Sequence, residues 1–271
     1  MVRHFWILLF TVSFAASVLQ AQHLEDHAYH NHKVYELDWK KKELIALGTG
    51  IGLTAFGHVM LSQADGPLQS DIDNLDGSQL NFIDRTAANN LSEGARNLSD
   101  IVLFGGLTLP FLSYFSSNCR PEASAIGVMA VETFLINLGI TNISKAAFKR
   151  YRPYSYNPDA PAELQLGKES RRSFISGHAS STTALAFLTA RVLTDAHPDS
   201  SKKYIIWSAA ATIPAVISYL RVKAGRHFPT DVIGGYVVGA TIGYLIPEIH
   251  LRDHIDIEVQ GVGSLSVTVR F

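Results

Sequence analysis

Three short segments, far apart in the chain, carry side chains that together could bind and cleave a phosphoester. A phosphoryl group in transfer carries negative charge on its non-bridging oxygens, so its cleavage depends on positioning and on fixed cationic donors. The segments supply Lys145 and Arg152, then Ser176, Gly177 and His178, then Arg221, His227 and Asp231. We therefore predict one site that binds a phosphate, attacks it and protonates the leaving group.

Five of these residues are suited to phosphate binding. Arg152 and Arg221 can each offer a planar pair of donors to two phosphate oxygens, and Lys145 adds a compact charge. Ser176 and Gly177 immediately precede an apolar run that is typical of a helix. Their backbone N–H groups would then lie at a helix N-terminus, where an anion is stabilised.

The two histidines can divide the transfer chemistry. His227 precedes Asp231 by four residues, so the carboxylate can accept one ring N–H and leave the other nitrogen free to attack phosphorus. His178 can protonate the departing alkoxide. The predicted course is a phosphohistidine intermediate that water hydrolyses. The motifs contain no carboxylate cluster typical of a divalent-metal site, so we expect no metal and no cofactor.

The order and spacing of the segments resemble the type 2 phosphatidic acid phosphatase superfamily, which includes lipid phosphatases, bacterial acid phosphatases and vanadium haloperoxidases. Its signature is Lys-x6-Arg-Pro, then Pro-Ser-Gly-His, then Ser-Arg-x5-His-x3-Asp, and the resemblance extends over residues 43–250. It implies phosphate ligands at Lys145, Arg152, Ser176, Gly177 and Arg221, an acid at His178, a nucleophile at His227 and its partner at Asp231. Ile175 stands where the family has proline, and Leu220 where it has serine. Neither departure removes a group that the chemistry needs.

The composition is more apolar than that of an average soluble domain. Charged residues make up 17% and apolar residues 47% of the 271 positions, against about 25% charged in soluble domains. The net charge of −1 provides no long-range attraction to nucleic acid, and we expect none as a partner. The single cysteine, Cys119, excludes an intrachain disulfide.

Six apolar segments predict an all-α fold, a six-helix, membrane-associated bundle. The family resemblance implies that the bundle is of the phosphatidic acid phosphatase/haloperoxidase type. The segments are 44–62, 98–117, 123–144, 179–196, 203–220 and 230–247. Several of their uncharged runs are about 15–18 residues, near the lower limit for a bilayer span. Recurrent glycines nevertheless favour close helix packing in a membrane. In an up–down bundle, the loops after the third and fifth segments emerge at the same end, which brings the three motifs together.

Both ends of the chain lie outside this helical domain of residues 43–250. Residues 1–21 predict a secretory signal peptide cleaved after Ala21, with a retained N-terminal anchor as the alternative. Residues 22–42 form a polar lead, whose four histidines a solvated segment explains as well as metal binding does. Residues 251–271 alternate apolar and polar side chains and predict a β-hairpin.

Two signals disagree about which side of the membrane the site faces. Lysines at 40–42 and at 202–203 precede the first and fifth segments, and the positive-inside rule then places the motifs outside the cytoplasm. A cleaved signal peptide followed by six spans would place them inside. We favour a bacterial cell-envelope location with a periplasmic site. The acidic loop 63–97 leaves the first segment at the same end, where it either covers the site or merely connects two helices.

The sequence therefore predicts a metal-independent phosphatase acting on a phosphomonoester or diphosphate, with a membrane lipid as the favoured substrate class. A soluble periplasmic acid phosphatase for small phosphoesters is the alternative, followed by a vanadium haloperoxidase. A non-catalytic membrane protein with a relict site conflicts with the presence of every acid, base and cation position. Neither the individual substrate nor the oligomeric state is indicated.

Overall fold

The computed structural model describes residues 33–39 and 41–252, and the backbone of two strands beyond them. Its helices are α1 (Lys42–Ser62), α2 (Gln69–Asp73), α3 (Glu93–Leu107), α4 (Ala123–Phe148), α5 (Ala162–Gln165), α6 (Gly177–Asp195), α7 (Lys203–Lys223) and α8 (Pro229–Ile249). The strands β1 (Ile255–Val259) and β2 (Leu265–Val269) pair antiparallel. The predicted signal peptide and most of the polar lead lie outside the described residues.

The outer surface of the helices is apolar. Five stretches of the described chain are long and apolar enough to cross a membrane: Lys42–Ser62, Glu93–Phe115, Arg120–Tyr156, Lys203–Lys223 and Pro229–Ile249. Large side chains such as Ile45, Ile101 and Ile205 are 68–70% exposed on these helices, as expected for surfaces that contact lipid rather than water. The predictions of an all-α architecture and of membrane association are therefore confirmed for the described helical body.

Helix α6 lies at the centre of the bundle and contacts α3, α4, α7 and α8. It corresponds to the predicted segment 179–196 but is not among the five apolar stretches. Its inward side chains include buried hydroxyl groups, and the Thr183 hydroxyl donates to the Ala179 carbonyl at 2.7 Å. Surrounding helices shield these polar groups, so α6 can be less apolar than its neighbours. The number of spans stays a prediction.

Glycines bring α8 directly onto α6. A Cβ at Gly239 would lie 2.2 Å from the Ser180 carbonyl oxygen, and Gly235 and Gly243 approach the α6 backbone as closely. Small residues at such contacts allow two helices to pack backbone against backbone. This contact fixes the start of α8 beside the start of α6.

The two ends of the bundle differ in what they carry. At the motif end, α4 and α7 finish where α6 and α8 begin, and all three motif segments lie there. At the opposite end, Tyr35 forms an isolated bridge with Leu251, and the Glu122 carboxylate accepts the Val34 and Tyr35 N–H groups at 2.6 and 3.2 Å. The described part of the polar lead is thus tied down away from the motifs.

The acidic loop 63–97 packs against the motif end. It contains α2 and two 3₁₀ turns, Gly77–Gln79 and Asp84–Ala87. Asp84 is fully buried and accepts the Thr230 backbone N–H at 3.0 Å, at the start of α8. The loop is therefore part of the structure around the motifs rather than a solvated connection.

Candidate active site

The Ser-Gly-His motif lies at the start of α6, where all three segments meet. Ser176 is the N-cap, and its side-chain oxygen accepts the Ala179 N–H at 3.4 Å. The Ser176 N–H donates to the Asp231 carbonyl of the third segment at 3.0 Å. A Cβ at Gly177 would lie 3.3 Å from the Lys145 ammonium of the first segment. The structure thus brings one residue of the first segment and one of the third into contact with the start of α6.

The first segment contains a left-handed turn, which ends α4 between Lys145 and Arg152. Lys149 has φ 44°, and its N–H donates to the Lys145 carbonyl at 3.2 Å. A non-glycine residue in this region costs about 1 kcal/mol, which the surrounding contacts must offset. The turn brings Arg152 into a buried position, where its guanidinium donates to the Glu169 carbonyl at 2.7 Å and to the Glu169 carboxylate at 3.0 Å.

Arg221 is buried in the last turn of α7 and meets the acid candidate through a shared carboxylate. Its Nη1 donates to the Ser99 hydroxyl at 3.1 Å and to the Asp100 carboxylate at 3.2 Å. The same Asp100 oxygen lies 2.8 Å from His178 Nε2. One carboxylate from α3 therefore orients both a predicted phosphate ligand and the predicted acid.

A glycine turn connects Arg221 to the rest of the third segment. Gly225 has φ +69°, and a Cβ there would lie 1.8 Å from the Asn90 carbonyl oxygen. Only glycine fits such a position without displacement of the neighbouring backbone. The Tyr154 N–H donates to the Gly225 carbonyl at 3.2 Å, which ties the first segment to the third.

His227 is 1% exposed, and one of its ring nitrogens is fixed by a backbone carbonyl. Nδ1 lies 2.8 Å from the Ser173 carbonyl oxygen, so it must carry the proton. The nearest Asp231 oxygen lies 3.8 Å away. The sequence predicted that Asp231 would accept this N–H, and the structure gives the role to Ser173. In the neutral ring, Nε2 then keeps its lone pair.

Asp231 is engaged elsewhere, as one member of a buried network. Its Oδ2 accepts the Phe228 N–H at 2.8 Å, which caps α8, and the Ser173 hydroxyl at 2.5 Å. Arg150 lies between two fully buried carboxylates and donates to both Asp231 and Asp84. We call this the Asp84–Arg150–Asp231 cluster. It holds the start of α8, and hence His227, against the acidic loop.

The charges around His227 keep its imidazole neutral. Burial lowers the pKa of His227 well below its usual value of 6.5, and the positive charges of Arg152, Arg221 and Lys145 lower it further. A neutral imidazole with a protonated Nδ1 presents an unprotonated Nε2 to any ligand that the cations attract.

Sequence reasoning missed several residues that hold the site together, namely Asp84, Asp100, Arg150, Glu169 and Ser173. Arg150 was visible as a charge two positions before Arg152, yet nothing local distinguished it from a surface cation. Asp84 and Asp100 belong to no motif, and their partners lie 146 and 78 positions away. Only the fold brings such pairs together.

Comparison with known proteins finds a family model that matches the region of the motifs. Residues 123–254, which contain all three segments, match the sequence model of the PAP2 superfamily. Over 144 residues, the chain is 25% identical to the lipid A 4'-phosphatase of Porphyromonas gingivalis, which covers 52% of this chain and 57% of that protein. Over 126 residues, it is 31% identical to the undecaprenyl-diphosphatase of Sulfolobus acidocaldarius, and the aligned region covers 46% of this chain and 55% of that protein.

The chain thus spans little more than half the length of these two relatives. A solved structure is also similar, that of a transmembrane PAP2 type phosphatidylglycerolphosphate phosphatase from Bacillus subtilis. The match has a TM-score of 0.46 and 20% sequence identity, and it covers 74% of this chain and 94% of that one.

Proposed function

We propose that the protein is a member of the PAP2 superfamily, whose sequence model matches residues 123–254, and that it is a phosphoric ester hydrolase, a metal-independent phosphatase for a lipid phosphomonoester or diphosphate. One observation carries the proposal: the Nδ1–H of His227 is bound by the Ser173 carbonyl at 2.8 Å, which leaves Nε2 unprotonated among three cations. The relatives named for lipid A and for undecaprenyl diphosphate favour a lipid substrate.

In the first step, His227 Nε2 attacks phosphorus and the bond to the leaving oxygen breaks. Arg152, Arg221 and Lys145 stabilise the charge on the three non-bridging oxygens, together with the N–H groups at the start of α6. His178, in its doubly protonated form, gives the proton on Nδ1 to the leaving oxygen and keeps the proton on Nε2. The products of this step are a free alcohol, or a lipid monophosphate if the substrate is a diphosphate, and a phosphohistidine.

In the second step, water attacks the phosphohistidine. His178, now neutral, takes one proton from the water, while the P–N bond breaks and returns the electron pair to Nε2 of His227. Asp100 accepts the Nε2–H of His178 and keeps this ring in place through both steps. Asp231 acts on His227 indirectly, because it fixes the start of α8 and holds the Ser173 hydroxyl.

The remaining sequence predictions complete the proposal. The site residues Ser176 and Gly177 bind phosphate through the helix start. Residues 43–250 form a six-helix catalytic domain, preceded by a signal peptide or anchor at 1–21 and a lead at 22–42, and followed by a β-hairpin at 251–271. The domain lies in a bacterial cell envelope with the site on the periplasmic side.

The test is phosphate release by the protein purified in a neutral detergent with a chelator present. Phosphatidic acid, an isoprenyl diphosphate and soluble phosphomonoesters form the substrate panel. We expect release from at least one lipid substrate, inhibition by vanadate, and a loss of at least about 1,000-fold in His227→Ala. A matched control is His197→Ala, since His197 contacts Ser116 and Asn118 near the far end of α6.

Two results would contradict the proposal. If phosphate release is unchanged in His227→Ala, His227 is not the nucleophile. If release depends on added divalent metal, the mechanism is not metal-independent. Turnover of soluble esters alone would replace the lipid phosphatase by the acid phosphatase alternative.

A further inference from the structure

A cavity lined by cationic side chains lies beside the motifs. Its volume is about 190 Å³, and its lining includes Lys145, Lys149, Lys168, Arg171 and Arg172. We call it the basic pocket. Apart from Lys145, none of these residues is a defining position of the three motifs, so the pocket adds four positive charges next to a site that already holds three.

Lys145 belongs to both the basic pocket and the predicted phosphate site. It lines the pocket, and its ammonium lies 3.3 Å from where a Cβ at Gly177 would be. An ammonium carries three donors, so it can contact two phosphate groups at once. The basic pocket and the predicted phosphate site are therefore adjacent, and Lys145 belongs to both.

Glu169 forms the second connection between the two. Its carboxylate binds Arg152 of the phosphate site at 3.0 Å and Arg172 of the pocket at 2.8 Å. Burial raises the pKa of Glu169, but the charges of Arg152, Arg172 and Lys145 hold it below its usual range, so this group stays ionised. One carboxylate is thus shared by the two cation sets.

The pocket keeps more positive charge than its surroundings neutralise. Within the described part of the chain, Lys145, Lys149, Lys168 and Arg171 form no ion pair shorter than 4.0 Å, and the acidic residue in the lining is Asp65. Arg171 lies against the Tyr151 ring at 5.4 Å, and its Nε is buried without a hydrogen-bond partner among the residues that the structure describes. Unpaired buried donors are costly unless a ligand completes them.

We propose that the basic pocket is a second anion subsite, which binds the phosphate next to the one that is cleaved, so that the preferred substrate is a diphosphate ester. This inference rests on the proposed function. His227 attacks the terminal phosphorus, the bond from that phosphorus to the bridging oxygen breaks, and the inner phosphate leaves with a proton from His178. A diphosphate suits this geometry because its two phosphate groups are joined through one oxygen and can occupy two adjacent sites. Lys145 can contact both groups.

The experiment compares two isoprenyl substrates that differ by one phosphate, farnesyl diphosphate and farnesyl monophosphate, in neutral detergent. The variant is Lys168→Gln with Arg171→Gln, and the matched control is Lys202→Gln with Lys203→Gln, which removes two charges where α7 begins, at the opposite end. We expect kcat/KM for the diphosphate to fall about tenfold or more in the pocket variant and to stay unchanged in the control. The monophosphate should change by less than about twofold.

The inference is overturned if both substrates lose activity equally or if neither does. If the pocket variant loses kcat/KM for both substrates, and only in anionic vesicles, the pocket attracts the protein to a membrane surface and is not a second anion subsite. If the parent protein releases phosphate from neither substrate, the proposed function itself fails. Inhibition of the parent supplies a check that needs no variant: inorganic pyrophosphate should inhibit about tenfold more strongly than inorganic phosphate, and equal inhibition would count against the pocket.

Discussion

Each end of the bundle holds one cation between two fully buried carboxyl groups, yet the two arrangements differ. At the motif end, the cation is Arg150, and it donates to Asp84 and Asp231. At the opposite end, His250 Nε2 lies 3.1 Å from Glu132 and 3.5 Å from Glu43. We call the second group the Glu43–His250–Glu132 cluster.

The difference lies in the hydrogen bonds that complete each carboxyl group. Asp84 also accepts the Thr230 N–H and hydroxyl, and Asp231 accepts from Phe228 and Ser173. In the Glu43–His250–Glu132 cluster, no group among the described residues forms a hydrogen bond with the four carboxyl oxygens or with His250 Nε2, which leaves only the ion-pair contacts of the imidazole. A buried charge is stabilised by such partners and is costly without them. The motif end is therefore built to hold its charges in one geometry, and the opposite end is not.

The largest expected effect follows from removing the cation at the motif end. Arg150→Gln leaves Asp84 and Asp231 buried without a counter-charge, which should destabilise the protein by about 3–5 kcal/mol. Because the start of α8 then shifts, we expect kcat to fall by at least about 100-fold. Thermal unfolding in detergent and phosphate release measure the two effects. Arg252→Gln, at the half-exposed Arg252 of the opposite end, is the control that should change neither.

The corresponding change at the opposite end should affect stability alone. His250→Gln removes the imidazole between Glu43 and Glu132, and a loss of about 2 kcal/mol is expected, because an amide is a weaker partner for two buried carboxyl groups. The kcat should stay within about twofold of the parent. A large fall in kcat with unchanged KM would show that the two ends are coupled.

Neutralising one carboxyl group in each cluster sharpens the comparison. Asp84→Asn removes an acceptor of several hydrogen bonds and should cost about 2 kcal/mol of unfolding free energy. Glu43→Gln changes a carboxyl group that accepts no hydrogen bond from the described residues, so a change of about 0 to 1 kcal/mol in either direction is expected. Equal losses in the two variants would contradict the assignment of different roles to the clusters.

The smallest effect is on the pH dependence of stability. Burial lowers the pKa of His250, but Glu132 and Glu43 raise it above 6.5, so its contribution is present below pH 6.5 and is lost as the pH rises through the raised value. For His227 the pKa is lowered, so its contribution is present above pH 6.5 and is lost as the pH falls.

Unfolding midpoints between pH 5 and pH 8 test the two signs. In His250→Gln, the fall of the unfolding midpoint with rising pH should disappear. In His227→Ala, the fall of the unfolding midpoint with decreasing pH should disappear. If both variants changed the same side, one of the two histidines would have been assigned the wrong surroundings.

How much of the fold the sequence predicted can be judged from individual elements. The segment 44–62 became α1 (Lys42–Ser62), and 203–220 became α7 (Lys203–Lys223), because apolar runs of this length bury their backbone hydrogen bonds only as helices. The segment 98–117 was less accurate, since α3 begins five residues earlier, at Glu93, directly after the N-cap Ser92. The cap was a readable signal, a serine before a glutamate, which the apolar count ignored.

The sequence by itself determined the chemistry of the site, since the residue types and the spacings within each motif depend on local backbone geometry. It also determined the helical class, because hydropathy is a property of each segment alone. Only the tertiary structure decided that Ser173 rather than Asp231 fixes the His227 ring, and that Asp84 and Asp100 support the motifs. Those pairings join helices and loops far apart in the chain, and a hydrogen bond between such groups depends on how the helices pack.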